Sequence, residues 1–235
     1  MNRFWSRKTF ALIAVPLLCG LLNVSSARAE SLSYSEQIWD FGHVGIDFKI
    51  FHTYWIANNG TDSVHVKDVV VTCECSSVSK SDSVIAPGDT VYFKLTFETK
   101  NYYGAVNRSF EVSLDSKEIP ELQFHYLATV GQWFYGVKPE PISLFFLPSH
   151  KSLTITVTNT SFDEIGTHVV EQADPYFTAQ VETASASRGK AVAVEIKPSE
   201  SIGPGTYKSS LTIAVETGQT EKPALLTIPV KIVRY

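Results

Sequence analysis

The sequence predicts an all-β protein built from two tandem β-sandwiches of one plan. Three observations lead there. Short runs of β-branched and aromatic residues recur at turn-sized spacing, punctuated by Gly, Pro, Asn and Asp. No stretch of ten or more residues carries a 3.6-residue apolar period with caps, and residues 169–172 are the one ambiguous segment. The order of runs in the first half also returns in the second.

Taken in order, residues 1–29 read as an export signal. Arg3, Arg7 and Lys8 open it, an apolar run over 10–22 follows, and Ala27-Arg28-Ala29 supplies a small-x-small cleavage pattern before Glu30. The apolar run is short of the roughly 20 residues that a membrane-crossing helix needs. Cys19 lies near the position of a lipidated cysteine, but Leu17 and Leu18 precede it where that pattern wants a small residue. No later run approaches spanning length, so the expectation is an exported protein, periplasmic or extracellular, with no membrane span.

Residues 30–131 form the first repeat. Trp39-Asp40-Phe41-Gly42 opens it, and 50–57 follows with both faces largely apolar, which argues for a strand inside a sheet. Asn58-Asn59-Gly60 supplies a turn, because Asn and Gly accept positive φ at low cost. The strand at 64–71 runs into Cys73-Glu74-Cys75. Pro87-Gly88-Asp89 then turns the chain into 91–99, where Val91, Phe93, Leu95 and Phe97 share a face. Strands at 106–114 and 122–130 close the repeat, an immunoglobulin-like count.

Residues 132–235 form the second repeat, with strands at 153–159, 191–196, 209–215 and 225–233. The pattern breaks between Gly131 and Pro139, which marks the boundary. Counting from Val69-Val70 and Val169-Val170, the cysteine triplet aligns with Ala173-Asp174-Pro175, and Asp-Pro is a turn signal.

Charge excludes some partners. The chain has 20 basic and 24 acidic residues, but Arg3, Arg7, Lys8 and Arg28 lie in the signal and no acid precedes Glu30. The remainder is therefore distinctly acidic and has no basic run. Phosphate backbones demand Lys and Arg, so nucleic acid is not expected as a partner.

The first repeat resembles a bacterial family of exported proteins known as a domain of unknown function. The residues that carry the resemblance are Trp39-Asp40-Phe41-Gly42-His43-Val44, His52-Thr53-Tyr54-Trp55-Ile56-Ala57-Asn58, Cys73-Glu74-Cys75 and Pro87-Gly88-Asp89, and the match spans roughly 38–130. That family usually has Cys-Gly-Cys, so Glu74 departs from it. If the usual Gly takes positive φ, Glu74 carries that strain or the loop differs. The wider fold resembles that of PapD-type pilus chaperones and major sperm proteins. The resemblance implies an extracytoplasmic location and brings no established active site.

Cys73 and Cys75 are the sharpest candidates for chemistry. Residues two apart in a strand hold their β-carbons about 7 Å apart, whereas a disulfide needs roughly 3.8 Å, so a Cys-x-Cys disulfide requires a bend. Three readings stay open: a structural or redox disulfide; a Cu(I) or similar soft-metal site with His43, His52 or His65 as a third ligand; or two small buried residues at a strand end. The six histidines show no zinc spacing, and His52 is expected as a hydrogen-bonded packing residue. There is no Gly-x-Ser-x-Gly and no glycine-rich phosphate loop, and Asp163-Glu164 reads as solvated loop, so neither an enzyme nor a cofactor is expected. Trp133, Phe134 and Tyr135 at the boundary are a candidate interface, either between the repeats or toward a partner.

The expected function is a non-enzymatic interaction protein that meets another extracytoplasmic protein through loops or a free sheet edge. The alternative is a periplasmic thiol-redox or Cu(I)-binding protein acting through Cys73 and Cys75.

Overall fold

The computed structural model describes residues 31–235, and the export signal read at 1–29 lies outside the described residues. The described chain is all-β. Its first nine strands are β1 (Leu32–Tyr34), β2 (Ile38–Val44), β3 (Lys49–Asn58), β4 (Val64–Val71), β5 (Ser76–Lys80), β6 (Val84–Ile85), β7 (Thr90–Glu98), β8 (Gly104–Leu114) and β9 (Glu121–Val130). Then follow β10 (Val137–Glu140), β11 (Leu144–Phe146), β12 (Leu153–Asn159), β13 (Glu164–Gln172), β14 (Phe177–Thr183), β15 (Ser185–Ser187), β16 (Ala191–Pro198), β17 (Gly205–Glu216) and β18 (Ala224–Arg234). The ambiguous segment 169–172 is therefore strand, in β13.

Two small sheets, β1-β3-β7-β5 and β10-β12-β16-β14, each pack on part of one ten-stranded sheet. That sheet runs β15-β13-β17-β18-β2-β9-β8-β4-β6, with β11 beside β18. Two apolar clusters lie between the layers, one drawn from residues 32–130 and the other from 137–232. The alternation read in β7 is what builds the first: Val91, Phe93, Leu95 and Phe97 are all buried, and a buried Phe contributes about 2–3 kcal/mol. β3 lies between β1 and β7; Ile50, Tyr54 and Ile56 on one face are buried in the core, and Phe51 on the other is buried against the second sandwich.

The two halves repeat with an offset of 101 positions. Asn58 and Asn159 are both buried at the ends of β3 and β12. Asn58 Nδ2 donates to the carbonyls of Asp62 and Ile85, both at 2.8 Å, and its Oδ1 accepts from Gly60 N–H at 2.9 Å. Asn159 Nδ2 donates to Phe162 O and Ala186 O, and its Oδ1 accepts from Ser161 and Phe162 N–H. Each side chain ties a turn to a neighbouring strand and satisfies backbone groups there, of which those of Ile85, Phe162 and Ala186 are buried.

One alignment in the sequence reading is corrected. Register places Val69 opposite Val112 and Val169 opposite Ile213, so those valines correspond. A bulge falls at Lys67 in β4 but at Val170 in β13, and only the stretch between the two runs at an offset of 100. Past Val170 the offset is again 101. Thr72 N–H donates to Ser109 O and Ala173 N–H to Ser210 O, while Glu98 N–H donates to Cys75 O and Ser199 N–H to Tyr176 O. The triplet therefore corresponds to Asp174-Pro175-Tyr176, not to Ala173-Asp174-Pro175.

Edges are managed unequally. β1 is three residues long, β10 carries Pro139, and β5 ends in Lys80. β14, at the rim of the second small sheet, has no Pro or Lys, exposes Thr178 and Gln180, and pairs regularly over Phe177 to Val181 before a bulge at Glu182.

Candidate functional site

The Cys73-Glu74-Cys75 triplet makes the crossing from the large sheet to the first small one. The bonds of Thr72 and Cys75 pin its ends to β8 and to the end of β7, and Ser76 N–H donates to Cys73 O at 3.3 Å to close the turn. Cys73 and Cys75 are joined by a disulfide, with their Cα atoms 5.3 Å apart, closer than the roughly 6.6 Å of fully extended residues two apart. The turn supplies the bend that the pairing needs. In this form neither sulfur is the thiolate that a soft metal requires. Glu74 points outward and carries no left-handed strain: among the described residues, the non-glycine positions with positive φ are Asp47 and Asn101.

Around the disulfide, Ser76 Oγ lies 3.7 Å from each sulfur and is hydrogen-bonded to Tyr126 Oη, itself 3.8 Å from Cys73 Sγ. Burial pushes the Tyr126 hydroxyl above the ordinary tyrosine range, against the lowering effect of the Ser76 bond, so it stays protonated. The three histidines considered as extra ligands are elsewhere. His43 Nδ1 bonds to Gln132 O at 2.7 Å, His65 pairs with Asp115, and His52 belongs to the seam described next. Among the described residues, no three His, Cys, Asp or Glu side chains converge on one point.

At the corresponding positions the second repeat does something different. Asp174 takes both oxygens to Lys94 Nζ of the first sandwich, at 2.6 and 2.7 Å. The same ammonium lies 5.4 Å from the Tyr176 ring centroid and 5.1 Å from that of Phe51. Burial, and then the Asp174 charge, push the Tyr176 hydroxyl upward. One loop of the plan is thus cross-linked in the first copy and clamps the neighbouring sandwich in the second.

Other seam contacts are equally polar. His52 is buried, stacks on Trp39 with centroids 4.1 Å apart, and bonds through Nδ1 to Glu171 Oε1 at 2.6 Å. Phe51 N–H donates to Ser210 Oγ at 2.9 Å, and Thr227 Oγ1 donates to Phe41 O at 2.6 Å. Beside that last bond, β2 runs parallel to β18 with His43 opposite Leu226, which joins the two sandwiches through one sheet. Gly42, at φ +62°, permits the approach: a Cβ there would lie 2.1 Å from Leu225 O.

Trp133 and Phe134 are half-buried against the second core. The Phe134 ring stands 6.0 Å from Phe162 and 5.8 Å from His43 of the first sandwich, while Tyr135 is 80% exposed. Reading the sequence named Asp174 only as part of a turn and did not single out Lys94, Glu171, Ser210 or Thr227. One signal was available: Ser209, Ser210 and Thr212 interrupt an otherwise apolar run and are buried, which marks a strand whose second face meets something other than its own core.

The clamp is testable by itself. Replacing Lys94 with Met leaves the mostly buried Asp174 carboxylate without its partner and should cost about 1–3 kcal/mol in urea unfolding. A double-mutant cycle with Asp174→Ala should show coupling across the seam, and additive losses would remove the clamp from the account.

Residues 32–126 match the model of a family described as protein of unknown function, DUF1573, so the first sandwich carries a domain of unknown function, as its signature led us to expect. No curated protein matches the chain. Among solved structures, a protein of unknown function from Porphyromonas gingivalis W83 is 12% identical, with 86% of this chain and 100% of that chain covered at a TM-score of 0.34. The ASH/PapD-like domain of human CEP192 is 11% identical over 55% of this chain and 100% of its own, at 0.37. The YadV chaperone is 9% identical over 86% and 100%, at 0.34. Each of these is a likeness of fold class alone.

Proposed function

We propose that this chain, whose first sandwich carries a DUF1573 domain, is an exported, non-enzymatic binding module for another extracytoplasmic protein. The observation that carries the reading is the open edge at β14, where Phe177 to Val181 pair in unbroken register with β16 and hold neither Pro nor Lys before a bulge at Glu182 ends the regular stretch. Natural sheets ordinarily protect edges of that length, and strand addition is a recurrent way to use one that is left open. The seam contacts support the same reading, since they hold two sandwiches in one orientation and so fix the geometry a partner meets. The export signal read in the sequence puts that partner outside the cytoplasm.

On this reading the disulfide stiffens a loop and does no chemistry. It closes a ring over three residues, which in the chain-entropy picture stabilises by about 1–2 kcal/mol. The Cys73→Ser/Cys75→Ser variant should therefore melt only a few degrees lower. In a pull-down from an extract of exported proteins, run at several salt concentrations, it should capture the same partners as the wild type. Loss of capture in the variant, or no capture by either form at any salt, would refute the proposal.

A further inference from the structure

A groove of about 350 Å³ opens along the seam. One wall is Phe48 and the start of β3, with Lys49 and Phe51. The other is the face of β11, β18 and β17, with Phe145, Lys231 and Lys208. Its floor lies at a gap in the large sheet. The outer edge of β18 pairs with β2 at Leu226 and with β11 from Val230 onward, and between them it has no ladder partner. Pro229 sits in that gap, where its missing N–H leaves no donor orphaned.

The charges in this groove are arranged against the stability of the sheet. Lys208 and Lys231 stand directly opposite each other on β17 and β18, both exposed, and like charges in that relation repel. Among the described residues, no carboxylate is ion-paired with either. Lys49 is held by Glu98, and Asp47, which also lines the groove, forms no ion pair with Lys208 or Lys231, so the unspent positive charge is that pair. Phe145 lies opposite Lys231 on the next strand, 49% exposed, with the Lys231 ammonium 4.8 Å from its ring centroid. An acidic chain thus keeps, beside an uncovered aromatic ring, two adjacent lysines that its own acids leave alone.

We infer that this seam groove is a docking site for an acidic, apolar-anchored segment of a partner protein. A carboxylate of the segment sits between Lys208 and Lys231 and relieves their repulsion, while a neighbouring aliphatic or aromatic side chain packs on Phe145 and Phe48. The inference rests on the binding-module reading and locates a site for it. Charge complementarity and size select the occupant. The volume suits one or two side chains rather than a long acyl tail, and the acidic surplus of the protein disfavours an anionic membrane surface.

The test uses the exported protein and the labelled peptide acetyl-Glu-Phe-Asp-Leu-Glu-amide. Controls have the acids replaced by Lys, or Phe and Leu replaced by Ser. Binding by anisotropy should weaken with salt, and amide shifts should fall on residues 47–51, 143–145 and 229–231. Lys208→Glu should weaken the peptide at least tenfold while raising the unfolding midpoint, because it turns a repelling pair into an attracting one. That opposite response separates loss of the site from loss of the fold. Undiminished binding by Lys208→Glu, shifts confined to β14, or binding of phosphatidylglycerol vesicles or palmitate in place of the peptide would each overturn the inference. If Lys208→Glu still captures the wild-type partners from extract, the groove is wrong and the binding module stands. If the wild type captures nothing, the wider reading falls.

Discussion

Replacing Gly42 by alanine should destabilise the protein by about 3–4 kcal/mol. Two effects add. A side chain at φ +62° carries a left-handed penalty of about 1–2 kcal/mol. The new methyl would also stand 2.1 Å from Leu225 O and 2.4 Å from Leu225 Cβ, so β2 and β18 must part. Gly88→Ala is the control, because Gly88 has φ +83° but nothing within 4 Å of its would-be Cβ. It should lose only the conformational part. Urea unfolding measures both, and in Gly42→Ala hydrogen exchange should quicken at the amides around Leu226. Equal losses in the two variants would mean that the close approach of the strands contributes nothing.

The second large effect belongs to the paired asparagines. Asn58→Ala strands the carbonyls of Asp62 and Ile85 and the amide of Gly60, all within the first sandwich. Asn159→Ala strands the corresponding groups around Phe162 and Ala186. Asn159→Ala should cost about 2–4 kcal/mol by chemical unfolding, since buried polar groups lose their partners with no water to replace them, and Asn58→Ala about 1–3 kcal/mol, since Ile85 is buried but Asp62 is exposed and Gly60 half-buried. Asn→Asp should not rescue either site, because it removes the donating nitrogen and points a second acceptor at two carbonyls. A loss below about 1 kcal/mol at either site would show that its loops relax to find other partners.

The long strands were legible because each alternates over a core of its own: β7 and β12 are read from Phe93 and Ile155 and their neighbours with no outside information. The short ones were not. β5 is mostly serine and β10 contains Pro139, so neither carries a pattern strong enough to stand out from loop. The cysteine loop was legible as a bend, but its counterpart was placed one residue early, because the sequence does not mark where a bulge falls and two bulges at different positions look like none. The clamp and the groove were not legible at all. Lys94, Asp174, Lys208 and Lys231 read as ordinary surface charges until the second sandwich is set against the first, and that placement depends on Gly42 and on hydroxyls more than a hundred residues away.

The parallel pairing of His43 with Leu226 has a consequence for how the protein comes to be. The two residues are 183 positions apart, so β2 is made long before the strand that flanks it. During that interval the first sandwich has its own core but an open flank, with Phe51 and the Trp39–His52 stack facing water. Closing so long a loop costs entropy that only the finished second sandwich offsets. The first sandwich must therefore wait in a partly uncovered state. Any truncation upstream of β18 would make that wait permanent, turning a transient flank into a standing invitation to aggregate.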